Sequence, residues 1–416
     1  MRLPAMLAPL SRPGLRRLVL AQVPADLADW LDYVALVALL AFQWRAGTGT
    51  LAALAIAMGV PYAVLGPLAG VLVDRLDLKL VLVGSNLGRA LATAGFALAP
   101  DAAWLLGLIA LKTSVDTLFT PAKQAALPLL TPADGLPAAN ALSHGINQLS
   151  KIAGPALAGA LLIVLPAQAV FLVNAALSLA AALLLLGLRR QDLRRSEPTA
   201  EAAPAGFRRQ LADGFACVAR RPMLLAGFAM MTFGFFTFFL YDTLLAILMR
   251  RVGYAETLFG PSVALSGAGG VLGAALLAQL AGRRSPLALM CAGAVATGAA
   301  IALLGHLGRA DLAAPPAAFL ALMFAIGVTS SALFVPYRTL VQAETPEAMM
   351  GRVTALGESA SSLAMMAAPP LGALAATWAG IGAPFLLGGY ILALGGLGLA
   401  LLARHLFRPL GIKPGP

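Results

Sequence analysis

Between residues 16 and 404 the chain is a succession of apolar runs broken by short polar connections. Each run is close to the roughly 20 residues a helix needs to cross a hydrocarbon core of about 30 Å. Twelve are legible, near 16–44, 50–73, 80–99, 102–125, 137–165, 168–188, 223–249, 257–281, 286–307, 313–340, 350–379 and 382–404. The longest, 137–165 and 350–379, are expected to tilt or to extend past the bilayer. Composition agrees: 60% of the residues are hydrophobic and 11% charged, whereas soluble domains carry about a quarter charged residues. The expected fold class is an all-α integral membrane protein with 12 transmembrane helices.

The formal charge of +11 suits a topology signal better than a nucleic-acid groove, because the basic residues fall in short clusters between apolar runs. With both termini inside, the outer connections hold only Arg45, Arg250, Arg251 and Arg309. The inner side holds Arg2, Arg12, Arg16, Arg17, Arg75, Lys79, Arg89, Lys123, the linker arginines, Arg283, Arg284, Arg338, Arg352, Arg404, Arg408 and Lys413. This asymmetry predicts cytoplasmic termini and a cytoplasmic linker. The first apolar run is long and contains three aspartates, so no cleavable signal peptide is expected. Cys217 and Cys291 lie in separate segments and suggest no disulfide, and His144, His306 and His405 are too scattered for a metal box.

Residues 189–222 are polar and rich in Pro and Ala, and they divide the chain into an N-terminal six-helix bundle (1–188) and a C-terminal one (223–416). Within the linker, Phe207 to Arg221 reads either as an amphipathic helix on the inner leaflet, with Phe207, Leu211, Phe215 and Val218 on one face, or as an ordinary solvated connection. The halves echo each other. Phe119-Thr-Pro121-Ala-Lys123 returns as Phe334-Val-Pro336-Tyr-Arg338, each followed by a Thr-Pro pair and another long helix, at an offset of about 214 residues. A parallel repeat of this kind is a transporter architecture.

The turn Gly66–Lys79, GPLAGVLVDRLDLK, joins the second and third runs. Its glycines are expected to let the helices approach closely. It resembles the loop between the second and third helices of major facilitator superfamily transporters, which reads roughly G-x-x-x-D-R-x-G-x-R-R. Gly70, Asp74 and Arg75 match, Leu76 or Asp77 replaces the second glycine, and Lys79 alone stands for the basic pair. A worn counterpart runs from Gly269 to Arg284 and keeps Gly273 and the pair Arg283-Arg284. The runs TPAKQAALPLLTP, AANALSHGINQLSKIAGPALAG and VPYRTLVQAETPEAMMGRV resemble the macrolide-efflux and enterobactin-exporter branch, a drug:proton antiporter-like group. The lysophospholipid transporter branch shares an Asp in helix 1 and a Pro-Ala-Lys after helix 4, and stands as the alternative. The resemblance implies the major facilitator fold. It also implies alternating access in a bacterial inner membrane, with export of a lipophilic or amphipathic compound.

Charged side chains inside membrane helices are costly and mark function or pairing. Asp26, Asp29 and Asp32 recur every three residues on one broad face of helix 1. Three carboxylates so close cannot all ionise cheaply, so at least one is expected to hold a proton near neutral pH. Asp29 lies about 14 residues from the inner end, roughly 20 Å deep. Asp29 and Asp32 are therefore candidates for proton coupling, and Asp26 for a cytoplasmic gate; a buried network that only orders helix packing is the other reading. Asp242, loosely aligned with Asp32 in the repeat, and Glu358 of helix 11 complete the proton-coupling set; Asp242 at a hydrated outer mouth is equally compatible with the pattern. Lys112 and Asp116, four residues apart, form either an intrahelical pair or a contact with an anionic substrate or a helix 1 acid.

Phe235, Phe236 and Phe239, with Trp30 and Tyr33, are candidate substrate contacts, though aromatics more commonly face lipid or neighbouring helices. Lys151, Gly154 and Pro155 lie in a stretch similar to the antiporter signature G-x8-G-P-x-x-G-G, with Gly145 and Gly159 matching and Ala158 replacing a glycine. Gly154 and Pro155 are expected to soften helix 5 and permit close contact with its partner from the other half, and Lys151 either neutralises Glu358 or reaches for water. Asp74, Arg75 and Lys79, with Gly70, are read as structural latches. There is no GxxxxGK[ST] loop and no legible catalytic or metal grouping, so neither an ATP motor nor an enzyme is expected, and no cofactor. The expected partners are a lipophilic or lipid-like small molecule, protons (with Na⁺ as the alternative ion) and membrane lipids, the chain acting as a monomer.

Overall fold

The computed structural model describes residues 10–132, 135–193, 207–280, 284–346 and 349–407, and these are helical almost throughout. The helices are α1 (Pro13–Ala38, continued as a π turn, Leu39–Gln43), α2 (Thr48–Arg75), α3 (Leu78–Phe96), α4 (Ala102–Leu129), α5 (Leu136–Val164) and α6 (Ala167–Leu186). After the linker come α7 (Phe207–Ala219), α8 (Pro222–Tyr241), α9 (Leu245–Arg251), α10 (Phe259–Leu280), α11 (Pro286–Arg309), α12 (Pro316–Glu344), α13 (Met350–Ala379) and α14 (Ala383–Phe407). Each expected apolar span falls on one of these helices. The seventh is interrupted: Asp242–Leu244 forms a 3₁₀ turn between α8 and α9, where the short polar side chains of Asp242 and Thr243 weaken helix preference.

Helix starts are set locally. Pro13, Pro222, Pro286 and Pro316 stand in the first turn of their helices, where a missing N–H costs nothing. Asp77 caps α3 by accepting from the Leu80 N–H at 3.0 Å, and Asp101 caps α4 by accepting from Trp104 at 2.9 Å. Among the described residues, 10 helical stretches are long and apolar enough to cross a membrane. α1 and α3 fall short, and these are the helices that carry Asp26, Asp29, Asp32 and Arg89.

The chain divides into two compact units, Met1–Trp44 with Ile56–Glu201, and Arg45–Ala55 with Ala202–Pro416. In the first, α1 packs on α5 and α6, and α3 on α4 and α6. The second repeats this wiring: α8 packs on α13 and α14, and α11 on α12 and α14. Leu15, Leu18, Leu82, Phe119, Leu127 and Leu185 belong to one apolar core at the end of the first unit where α1 begins.

Close helix approach through glycine occurs, but not where the sequence suggested. No described atom lies within 4 Å of a Cβ built at Gly66 or Gly70 of α2. In the second unit a Cβ at Gly269 would strike the Phe324 carbonyl, one at Gly327 the Ser266 carbonyl, and one at Gly273 would lie 2.8 Å from Ser331 Oγ. The worn copy of the turn motif therefore makes the tight α10–α12 contact. Gly154 presses α5 against α1, where a Cβ would lie 2.6 Å from that of Trp30, so its neighbour is the first helix of its own unit. Gly372 repeats this in the second unit by pressing α13 against Leu240 of α8.

In α7, Val218 is buried while Phe215 is exposed, so they do not share one buried face. The Asp213 carboxylate accepts from Arg352 of α13 at 2.9 Å.

Candidate functional site

Buried charge is concentrated in the first unit. The buried polar side chains of the described second unit are hydroxyls: Thr237, Thr243, Ser262, Thr297, Ser331 and Thr345. The first unit buries Asp26, Asp32, Arg89, Lys112, Asp116 and Lys123. These fall into two networks, both anchored on α1: an inner one nearer the start of that helix, at Asp26, and an outer one further along it, at Asp29 and Asp32.

The outer network joins α1, α3 and α4. Arg89 pairs with Asp29, and its Nε lies 2.7 Å from Asp116 Oδ1, in ion contact without hydrogen-bond alignment. Its guanidinium also donates to the Ala25 carbonyl at 3.0 Å. Lys112 Nζ sits 2.8 Å from Asp116 Oδ2, 3.2 Å from Asp32 Oδ2 and 3.9 Å from Asp29 Oδ1. Lys112 thus makes the intrahelical pair and contacts the helix 1 acids as well. Three carboxylates face two cations. The acids differ in access: the side chain of Asp29 is 31% exposed, whereas those of Asp32 and Asp116 are 2% and 5% exposed. Tyr62 of α2 lies within electrostatic reach of Asp116 and Asp29.

The inner network joins α1, α4 and α5 and balances its charge. Lys123 Nζ lies 3.3 Å from Asp26 Oδ1. Asp26 Oδ2 also accepts from Gln22 at 2.7 Å and Asn147 at 3.4 Å. Gln22 donates to the Ser143 carbonyl at 2.7 Å and accepts from the Ser143 hydroxyl at 2.8 Å. Phe119 touches both networks, with Arg89 5.7 Å and Lys123 5.5 Å from its ring centre.

Arg89 and Lys123 correct the sequence reading, which counted them among cytoplasmic topology charges. Both are buried and paired inside the helix bundle. A usable signal existed for Arg89: it stands well inside the third apolar run, where a cation needs a partner. For Lys123, at the end of its run, sequence offered no such discrimination. The roles of Gln22, Asn147 and Phe119 depend on which faces of α1, α4 and α5 meet, and that is visible only in the fold.

Other candidates lie apart from these networks. Asp242 is half-buried at the 3₁₀ turn that ends α8. In the second unit Phe235 stacks on Phe239 at 6.2 Å and meets Phe334 at 5.2 Å, and Phe238 packs on Phe239 and Tyr241. Phe236, Trp30 and Tyr33 are half-buried, as is Lys151 beside the buried Gly154 and half-buried Pro155. Arg75 is exposed and Lys79 half-buried; near them Asp77 pairs with Arg190 at 3.3 Å. The side chains of Asp74 and Glu358 lie outside the described residues, so neither the latch pair nor the Lys151–Glu358 pair can be placed.

The family model described as Major Facilitator Superfamily matches residues 18–357. The chain is 32% identical over 395 residues to the uncharacterized MFS-type transporter YfiS of Bacillus subtilis, covering 93% of this chain and 92% of that one. It is 27% identical over 362 residues to macrolide efflux protein A of Streptococcus pyogenes, covering 84% and 86%. Among solved structures, a bacterial homolog of the human lysosomal transporter Spinster, in an inward-facing and unoccupied conformation, superposes with a TM-score of 0.67. Its identity is 14%, with 97% of this chain and 99% of that one covered. A POT family transporter superposes with a TM-score of 0.69 at 13% identity, covering 94% and 96%.

Proposed function

The chain belongs to the Major Facilitator Superfamily, and we propose that it is a proton-coupled exporter of a lipophilic or amphipathic small molecule. One observation carries the reading: the outer network holds one more carboxylate than cations, and its accessible member is Asp29. With Asp29, Asp32 and Asp116 ionised against Arg89 and Lys112, the cluster carries a single negative charge in a low-dielectric site. One proton neutralises it, and Asp29 is where a proton from solvent arrives. Protonated Asp29 loses its hold on Arg89, which keeps Asp116 and the Ala25 carbonyl. The Arg89–Asp29 ion pair between α1 and α3 thus depends on one proton, while Lys112 and Asp32 still join α1 to α4. Protonation loosens one tie and leaves the other, a bias that coupled movement can use.

The direction of transport and the substrate class rest on the likeness to macrolide efflux protein A. The aromatic cluster around Phe235, Phe239 and Phe334 offers a polarizable surface for such a compound. Asp242 and Glu358 are secondary proton candidates. The protein then lies in a bacterial inner membrane with cytoplasmic termini.

The test is transport in proteoliposomes of a radiolabelled macrolide and of a lipophilic fluorescent cation under an imposed pH gradient. Asp29→Asn fixes the cluster in its neutral state. It should abolish gradient-driven accumulation and leave downhill exchange intact. Gradient-driven movement equal to wild type in Asp29→Asn removes Asp29 from coupling, and a wild type indifferent to any proton gradient ends the proton reading.

A further inference from the structure

α3 and α6 meet along one face each, and a ring contact sets their register. Phe96 and Phe171 meet edge to face with centroids 5.6 Å apart. The two helices run antiparallel, so alternating steps of three and four residues place Thr93 opposite Asn174, Arg89 opposite Ser178, Asn86 opposite Ala181 and Leu82 near Leu185. All of these side chains are buried. α1 closes the third side: Arg89 donates to the Ala25 carbonyl at 3.0 Å and Asn174 Nδ2 to the Ala28 carbonyl at 2.9 Å. Asp32 follows one turn beyond Ala28.

This seam is polar in the middle and apolar at both ends. Five of its oxygens have no hydrogen-bond partner among the described residues: Asn86 Oδ1, Thr93 Oγ1, Asn174 Oδ1, Ser178 Oγ and Asp32 Oδ1. Leaving a buried polar group unpaired is strongly unfavourable. Five would together rival the net stability of a whole domain. The carboxylate and amide oxygens need donors, and the two hydroxyls need a partner of either kind. Water supplies both. A metal cation would meet the positive charge of Arg89 on one of these walls and that of Lys112 already paired with Asp32.

We propose that the α1–α3–α6 seam binds a short chain of internal waters. The Phe96–Phe171 layer seals it at one end and the Leu82–Leu185 layer at the other, and it reaches from Asp32 to the back of the Arg89 guanidinium. Thr93, Asn174 and Ser178 are positioning residues for these waters. The functional consequence rests on the proton-coupling reading: seam water supplies the hydrogen bonds Arg89 needs when protonated Asp29 lets it go. Water occupancy itself does not rest on that reading.

X-ray radiolytic labelling of the protein in nanodiscs tests occupancy directly, because bound water generates hydroxyl radicals in place. Phe96 and Phe171, 1% and 0% exposed, should be labelled in the wild type. In the triple variant Thr93→Val, Asn174→Leu and Ser178→Ala, labelling should fall about tenfold. PH-driven transport should fall with it while downhill exchange persists. If the triple variant does not fold, Thr93→Val alone should give a smaller loss of the same kind. Unlabelled Phe96 and Phe171 in wild type overturn the proposal, as does labelling that survives the substitutions. Labelling that appears only in Na⁺ and not in choline buffer assigns the seam to a cation instead. Loss of labelling with pH-driven transport intact limits the waters to packing and overturns their coupling role.

Discussion

Arg89 is the residue on which the structure and a reading of charge along the chain disagree most sharply, and Arg89→Gln separates them. The substitution removes the pair with Asp29, the 2.7 Å contact with Asp116 and the 3.0 Å hydrogen bond to Ala25. Asp116, 5% exposed, then has Lys112 as its remaining cation and must share it with Asp29 and Asp32. Removing one partner of a buried pair costs about 3–5 kcal/mol. At about 2–4 °C per kcal/mol for a unit of this size, the unfolding midpoint should fall by roughly 6–20 °C. Adding Asp116→Asn restores the excess of one carboxylate, so the double variant should recover at least about half of the loss, a coupling within the usual range of about 0.5–3 kcal/mol. With Trp378 of the second unit replaced by Phe, tryptophan fluorescence during heating in detergent reads the first unit through Trp30, Trp44 and Trp104. Maleimide labelling of the buried thiols Cys217 and Cys291 reads the second. A midpoint for Arg89→Gln within about 2 °C of wild type, or a double variant no better than the single, would refute the buried network; a headgroup-level arginine gives that result.

Three further outcomes follow from the geometry. Gly327→Ala drives a methyl into the Ser266 carbonyl and should destabilise by about 1–3 kcal/mol or more, while Gly70→Ala, with no described atom within 4 Å, should be neutral or gain up to about 1 kcal/mol of helix propensity; thermal shifts of the two compare them directly. Lys123→Met strands Asp26 and should lower stability by about 3 kcal/mol, with Asp26→Asn restoring most of it and the pH dependence of transport unchanged in the double variant, since the inner network carries no net charge. The Arg251 hydrogen bond holds the Asp311 carboxyl below its ordinary range, so its contribution is present above that range and vanishes as pH falls through the lowered value; the pair is exposed, and Asp311→Asn should leave the midpoint unchanged at physiological salt.

The architecture was legible because membrane helices announce themselves by length: the apolar run placed at 350–379 coincides with α13 (Met350–Ala379). The break at Asp242 was not, since two short polar residues weaken a helix without ending it and the apolar run resumes at once with Leu244, so only backbone geometry distinguishes the turn. In the site, the spacing of Asp26, Asp29 and Asp32 put the acids on one broad face of α1 and set Asp26 apart as a gate candidate, but it did not name the cation that Asp26 meets. The fold divides them: Asp26 turns to Lys123, whereas Asp29 and Asp32 share Lys112. That division depends on the rotation of α1 against α3, α4 and α5, which no local pattern encodes. The Gly66–Lys79 motif shows the opposite failure, where its glycines suggested tight packing that the structure makes at Gly269–Gly273 instead.

α1 has a consequence for how the protein is made. Each aspartate at the centre of a lone helix costs about 2.5–3.5 kcal/mol to insert, and α1 carries three. Its compensating cations come late: Arg89 follows Asp29 by 60 residues, and Lys123 follows Asp26 by 97. During synthesis α1 must therefore wait, marginally inserted or still at the translocon, until α3 and then α4 arrive to neutralise it. The first half of the chain is then expected to insert as a group and not helix by helix. The charge arrangement proposed as a proton site thus also favours cooperative membrane insertion: a chain cut before α4 has acids on its first helix but lacks Lys112 and Lys123, which meet them in the folded unit.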